Sequence, residues 1–495
     1  MEHFPILLTT IALPLMSASF VMLFVKQSLN PNKILYSKYV TLLSATLTLM
    51  CSIFLIIAFE IGAGYQFVYK YPLLSSLGLA IDLAVDGISL FFILLTASLT
   101  LICITISMYS VSKNIKEFLV LFLILEGLSI GVFTTTNLLL FYIFFEATLI
   151  PMYLIIGMWG GKNRIYASIK FFLYTLLGSV LFLLVIIFLH NEFGTLSIPE
   201  LTEKARGLPY STQFWLWIGT FIAFAVKVPM IPLHTWLPDA HVEAPTSGSM
   251  MLAGILLKLG AYGFIRISLP IFPIVSLELS PYVMFLSILA IIYASMLAIA
   301  QTDMKKTIAY SSIAHMGYVT GGIFSFTIEG INGAIFQMIS HAIVSAALFM
   351  VVGVLYERLG TKDIKHYGGV ANKMPNLAFI FMIFVLSSVG LPGTSGFVGE
   401  FYSLIGIYKY NIYAAILGAL GIILGAVYML RLYKNVMLGE IKNESINNFS
   451  DLSMREIWCF IPLVITTMLI GLFPSLITMY FREDVINLLG KMGAL

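Results

Sequence analysis

Apolar runs of about 20 residues, the length that crosses a bilayer, follow one another along almost the whole chain. A backbone that enters lipid must satisfy its own N–H and C=O groups, and a helix does so within each run. With 60% hydrophobic residues, only 10% charged and a mean hydropathy of +0.99, the 495 residues lack the charge content of a soluble protein. The expected fold is an all-α polytopic membrane protein of about fourteen spans. They fall near 5–25, 35–59, 84–109, 117–135, 137–158, 166–190 and 213–236, then near 246–267, 281–301, 307–326, 330–357, 376–408, 412–438 and 457–480.

The basic residues test that count. Roughly 18 of the 27 Lys and Arg residues, among them Lys305, Lys362, Lys365, Arg431 and Lys442, lie in loops after odd-numbered spans, and roughly 7, Arg266 among them, lie on the other side. By the positive-inside rule the odd loops are cytoplasmic, or on the matrix side of an organelle, and both termini face the opposite compartment. The two remaining cations, Lys227 and Lys258, lie inside apolar runs. The N-terminal MEHFPILLTT lacks a basic segment and a small-residue cleavage site, so it reads as the start of the first span.

Cys51, Cys103 and Cys459 stand alone, with no CxxC and no Cys/His spacing suited to a metal. No GxGxxG or GxxxxGK[ST] phosphate-binding loop occurs either. Redox and nucleotide chemistry therefore belong to other chains. Nothing in the net charge of +3 points to nucleic acid.

The most unusual stretch is KVPMIPLHTWLPDAHVEAPTSGSMMLAGILLK, from Lys227 to Lys258. Pro229 and Pro232 remove the helix partners of the Ala225 and Val228 carbonyls. Such a break is tolerated at membrane depth only against protein or a wet cavity. Pro392, within SSVGLPGTSGFVGEF, breaks the twelfth run in a similar position, and the offset of five spans makes the second copy inverted. The expected organisation is three N-terminal spans over 1–116, a five-helix repeat over 117–270 broken near 229–232, an inverted repeat over 271–440 broken near 390–396, and a cytoplasmic loop with the last span over 441–495.

Ionisable side chains at membrane depth are costly, and that cost makes each a functional candidate. Glu146 lies mid-span, with Pro151 freeing the carbonyl of Ala147 beside it; Glu126 is a second acid of this kind. The bland alternative for both is a carboxylate hydrogen-bonded for packing. Lys227 and Lys258 are placed to load and release a proton, snorkelling from mid-span being difficult. His315 and His341 suit proton relay, or else are satisfied core histidines. His234 and His241 flank Trp236-Leu-Pro-Asp239, where interfacial packing competes with function; a metal reading needs ligands from elsewhere. Glu400 follows Pro392 by about 12 Å of helix and sits among glycines, as a terminal proton acceptor would. Asp82 and Asp86 read as structural. A string of few groups of both signs on separate spans suits stepwise proton transfer better than one substrate pocket.

These residues resemble the proton-pumping antiporter-like subunits of respiratory NADH:quinone oxidoreductase. FYIFFEATLIPMYLIIGMWGG, the Lys227–Gly263 stretch and SSVGLPGTSGFVGEF carry the resemblance, with DGISLFFILLT and QMISHAIVSAALF in agreement. It implies a proton-translocating subunit of an enzyme complex, in the inner membrane of a bacterium or of a mitochondrion. By the same resemblance Glu146 and Lys227 form the acid–lysine pair of a first half-channel. Lys258 is the central lysine, His341 part of the link, and Glu400 the end of a second half-channel, where sister subunits typically carry lysine. Glu126, His234, His241 and His315 are accessory candidates. The resemblance implies no cofactor bound by this chain; NADH, FMN, iron–sulfur clusters and quinone belong to partner subunits. The implied partners are other membrane subunits, especially sister antiporter-like ones, and the lipid bilayer. Two rivals remain: a subunit of a multi-subunit cation/proton antiporter, and a stand-alone secondary carrier.

Overall fold

A computed structural model describes residues 5–25, 31–74 and 78–493. Helices dominate, and eleven described ones are long and apolar enough to cross a membrane. The expected spans near 213–236, 307–326 and 376–408 are not among the eleven, for physical reasons. Helix Tyr210–Lys227 stops short at the double-proline stretch, and the third is split into Pro375–Val389 and Ser395–Tyr410. Helix Met304–Ile323 is uninterrupted but rich in Lys, Ser, Thr and Gly.

Both expected breaks are present. After Lys227 the chain turns through Pro229 and Pro232, the latter after a cis peptide bond, and helix resumes at Trp236–Glu243. Helix Pro375–Val389 ends at Gly390 (φ 82°), and the Leu391 N–H donates back to the Leu386 carbonyl. Gly390 and Gly393 (φ 92°) occupy left-handed conformations that a side chain resists. The span near 137–158 is also divided, into Leu138–Ala147 and Leu149–Trp159, just before Pro151. Pro474, likewise without an N–H, lies where the last expected run separates into Met454–Leu472 and Ser475–Met492. A two-stranded antiparallel hairpin, β1 (Gln66–Leu74) with β2 (Leu79–Val85), is not anticipated by the hydropathy runs.

The chain forms two compact units. The first comprises residues 1–228, 255–279 and 479–495. Here helix Arg164–Phe193 packs on helix Tyr210–Lys227, where a Cβ on Gly219 would come 2.7 Å from Val185. Asp86 caps helix Gly87–Ser110 through a capping box with Ser89. The Asp86 carboxylate also pairs with Arg266, while Asp484 accepts the Gly87 N–H at 2.8 Å. Asp86 is thus structural, as the sequence suggests. Arg266 is not the exterior loop cation that the charge count makes it, because its helix continues to Ile271 and leaves its side chain only 14% exposed against Asp86.

The second unit comprises residues 229–254 and 280–478. Its axis is helix Ile328–Leu359, buried along its apolar length between Met304–Ile323 and Ser395–Tyr410. Glycines permit the close approach. A Cβ on Gly406 would lie 2.2 Å from the Gly330 Cα, and one on Gly333 would lie 2.3 Å from the Ser403 nitrogen. Small residues at helix contacts do the same in membrane bundles generally.

Candidate functional site

In the first unit the proline break sets the geometry. Lys227 ends its helix 2% exposed, with its ammonium 3.5 Å from the Thr148 hydroxyl and 4.5 Å from the centre of the Phe145 ring. The ring face offers a cation–π contact in a desolvated setting. The Thr148 hydroxyl, at the interruption between the two helices, donates to the Phe145 carbonyl at 2.7 Å, so its oxygen is left to accept from Lys227. Glu146, half-buried on the same interruption, feels the Lys227 charge and shares a hydrogen bond with Ser179. Glu146 is thus near enough to Lys227 to feel its charge, without an ion pair between them within 4.0 Å among the described residues.

Lys258 is fully buried. Its span, Thr246–Ile271, contains two π-helical segments, Leu252–Leu256 and Phe264–Ser268, one on each side of it. Such segments often accompany functional sites. A Cβ on Gly260, two residues on, would lie 2.8 Å from the Phe224 carbonyl and 3.0 Å from the Lys227 Cβ, so the Lys258 helix packs directly on the Lys227 turn. Glu126, on helix Ile115–Thr134, is also fully buried, and neither of its carboxylate oxygens has a hydrogen-bond partner among the described residues. A buried polar group left in that state needs a reason other than packing.

The second unit assembles another centre. Glu400 is 3% exposed, with Oε1 2.6 Å from His315 Nδ1 and accepting from Gln337 Nε2 at 3.2 Å. His315 Nε2 lies 3.2 Å from the Ser388 hydroxyl, and the His315 and His341 ring centres are 5.6 Å apart. Ser311, Ser340 and Ser345 line the same small cavity. Polar groups from four helical segments thus meet at one small cavity. His341, expected as part of the link towards Glu400, lines the same cavity as the acid. His315, named only as an accessory candidate, is in direct contact with the acid.

The other two histidine candidates, His234 and His241, pack elsewhere. His241 stacks on Phe349, with ring centres 4.5 Å apart, and His234 meets Tyr293 edge-on. Among the described residues no group of three or more His, Cys, Asp or Glu side chains converges to hold a metal. One residue that hydropathy reads as a loop cation is buried instead. Lys305 is 3% exposed and donates to the Ala244 carbonyl at 2.7 Å and to the Ser249 hydroxyl at 3.1 Å. Lys362 donates to the neighbouring Val242 carbonyl. Two lysines thus secure the end of helix Trp236–Glu243, where the carbonyl groups lack helix partners. The sequence signal was a Lys next to an Asp303 cap, which is too common to be read.

Apolar helices, two spans broken by proline and glycine, and Lys, Glu and His side chains held at depth define a helical membrane protein that maintains ionisable groups away from water. The transmembrane family model of NADH:quinone oxidoreductase and Mrp antiporters matches residues 135–425, and the chain belongs to that family. NADH-quinone oxidoreductase subunit M of Rickettsia bellii is 57% identical over 99% of this chain and 100% of its own length. A chain of respiratory complex I from Thermus thermophilus is 32% identical with a TM-score of 0.88, over 98% of this chain and all of that one. A chain of the Mrp complex from Dietzia sp. DQ12-45-1b has the same fold, with a TM-score of 0.85 and 20% identity over 98% of this chain and 97% of that one.

Proposed function

We propose that the chain is a proton-translocating membrane-arm subunit of NADH:quinone oxidoreductase, and that its buried Glu, Lys and His groups carry the protons. The observation that carries this reading is the His315–Glu400 contact of 2.6 Å, buried within a broken span and extended by Gln337, Ser388 and His341. A titratable acid held by a titratable base, with no substrate-sized pocket around it, is equipped to pass a proton. The near full-length likeness to a subunit M supports the assignment to that enzyme rather than to the Mrp antiporters, of which the Dietzia chain, at 20% identity, shares only the fold.

In the first unit, changing the separation of Glu146 from Lys227 changes how tightly Lys227 holds its proton. Lys227 exchanges that proton with Lys258 through water. In the second unit His341 and His315 relay protons to Glu400, which releases them. Residues 117–270 and 271–440 act as two inverted five-helix repeats, each containing one of the two breaks expected at 229–232 and 390–396, in a bundle of about fourteen crossings. Moving one charge against 100 mV costs about 2.3 kcal/mol. That energy comes from NADH oxidation and quinone reduction in partner subunits, with FMN and iron–sulfur clusters held there.

The test uses proteoliposomes containing the whole complex, wild type or Glu400→Gln, with electron transfer and proton movement recorded together. The proposal predicts NADH-driven proton movement without added sodium, lost in the variant. Sodium flux that proceeds without NADH and is lost in Glu400→Gln would instead favour the antiporter reading.

A further inference from the structure

On the second unit a cavity of about 350 Å³ opens between the end of helix Pro273–Ala300, the end of helix Ile412–Met437 and the loop around Asp363. It belongs to none of the proton centres. Arg431, Lys365 and Lys442 line it, with Asn435 and Thr302 as neutral polar neighbours. The one carboxylate, Asp363, is engaged by the Lys365 ammonium at 2.9 Å and by its backbone N–H at 3.1 Å. Three cations against one paired acid give the cavity a net positive charge. All three cations lie on the side that the charge count makes cytoplasmic.

The surface next to the cavity is apolar. Val427 and Ile423 precede Arg431 by one and two helical turns, so they share its face, and both are exposed. Met296 and Tyr293, on the helix whose Ile299 carbonyl accepts from Arg431 at 3.5 Å, are exposed as well. A cationic cavity at the end of two spans, continuous with an exposed hydrocarbon face, has the two parts that an anionic phospholipid requires. A soluble phosphate would use the first part and leave the second without a role.

We propose that this cavity binds the phosphodiester headgroup of an anionic phospholipid through Arg431, Lys442 and Lys365, with an acyl chain lying along Val427, Ile423 and Met296. The site would tie a boundary lipid to the end of helix Ile412–Met437.

The test uses the intact complex in vesicles of phosphatidylcholine doped with a photoactivatable phosphatidylglycerol, with crosslinked peptides mapped by mass spectrometry. Label is expected on the segments around Met296 and Val427. Unlabelled phosphatidylglycerol should compete, whereas phosphatidylcholine and inorganic phosphate should not. Labelling should fall about 5-fold for each cation removed in Arg431→Gln and Lys442→Gln, the weight of one basic side chain at an anionic surface. Lys365→Gln, at an exposed loop position, should lower it without any packing change, which guards against a folding artefact. Equal competition by phosphatidylcholine, or undiminished labelling in all three variants, would overturn the proposal. Competition by inorganic phosphate but not by phosphatidylglycerol would reassign the cavity to a soluble anion.

Discussion

Gly399→Ala is the smallest change that should disable the second proton centre. The added Cβ would stand 2.3 Å from Gln337 Oε1, 2.6 Å from the Gln337 Cα and 2.8 Å from its backbone nitrogen. The side-chain oxygen can rotate away, but the two backbone atoms cannot. Carbon atoms pack at about 3.5–4.0 Å, so helix Ser395–Tyr410 must retreat from helix Ile328–Leu359 by about 1 Å. The Gln337–Glu400 hydrogen bond, now 3.2 Å, would then exceed hydrogen-bonding range. The 2.6 Å contact to His315 would lengthen wherever the movement has a component along it. Overpacking of this kind costs about 1–3 kcal/mol. Misplacing a reacting group by about 1 Å can cost about 100-fold in rate. The assay is NADH:quinone electron transfer and proton pumping in membranes, with assembly followed on a native gel. The expected result is an assembled complex in which both rates drop by at least about 10-fold. Gly425→Ala is the control, because its Cβ would meet nothing closer than the Tyr428 hydroxyl at 3.6 Å. Wild-type rates in Gly399→Ala, or equal damage from Gly425→Ala, would refute the reasoning.

Three further predictions concern the frame around the site. Arg266→Ala leaves Asp86 buried without its counter-charge and should cost about 3–5 kcal/mol, read as lost assembly or a lowered melting temperature. Burial, reinforced by the Asp86 charge, pushes the Asp484 carboxyl up to about 6 from its usual 3.8. The folded state then binds more protons than the unfolded state between about pH 4 and 6, so stability should fall as pH rises through that window. Asp484→Asn, which keeps an acceptor for the Gly87 N–H, should flatten that slope in a pH series of thermal melts. Lys305→Ala removes two hydrogen bonds from a buried carbonyl and hydroxyl and should cost about 1–3 kcal/mol, with protease sensitivity appearing near Ala244.

The sequence made the broken spans legible because proline and glycine act locally. Pro229 and Pro392 announce a missing donor whatever surrounds them, and both helices stop within three residues of them. Lys227, Lys258 and Glu400 were legible for a similar reason, since a charge inside an apolar run is conspicuous by itself. Contacts between distant segments were not. His315 and Glu400 are 85 residues apart, and no periodicity links them. Arg266 and Lys305 lie at the edges of apolar runs, where hydropathy assigns a cation to water. Lys305 is buried and Arg266 largely so, each because its helix extends past the expected boundary and an acceptor waits there. Strands Gln66–Leu74 and Leu79–Val85 pair with register shifts between Gln66 and Tyr69 and between Pro72 and Leu74, so they show no clean alternation that could stand out between two long apolar runs.

The central claim is that buried ionisable groups in this chain carry protons whose movement is coupled to quinone reduction. Its most direct test is Lys227→Ala in the assembled complex, with NADH:quinone electron transfer and proton pumping recorded in the same membranes. The account predicts that both fall together while assembly is retained, because blocking a proton step in a coupled machine also blocks the electron step. Both activities at wild-type levels in a correctly assembled variant would contradict it and return Lys227 to a purely structural role.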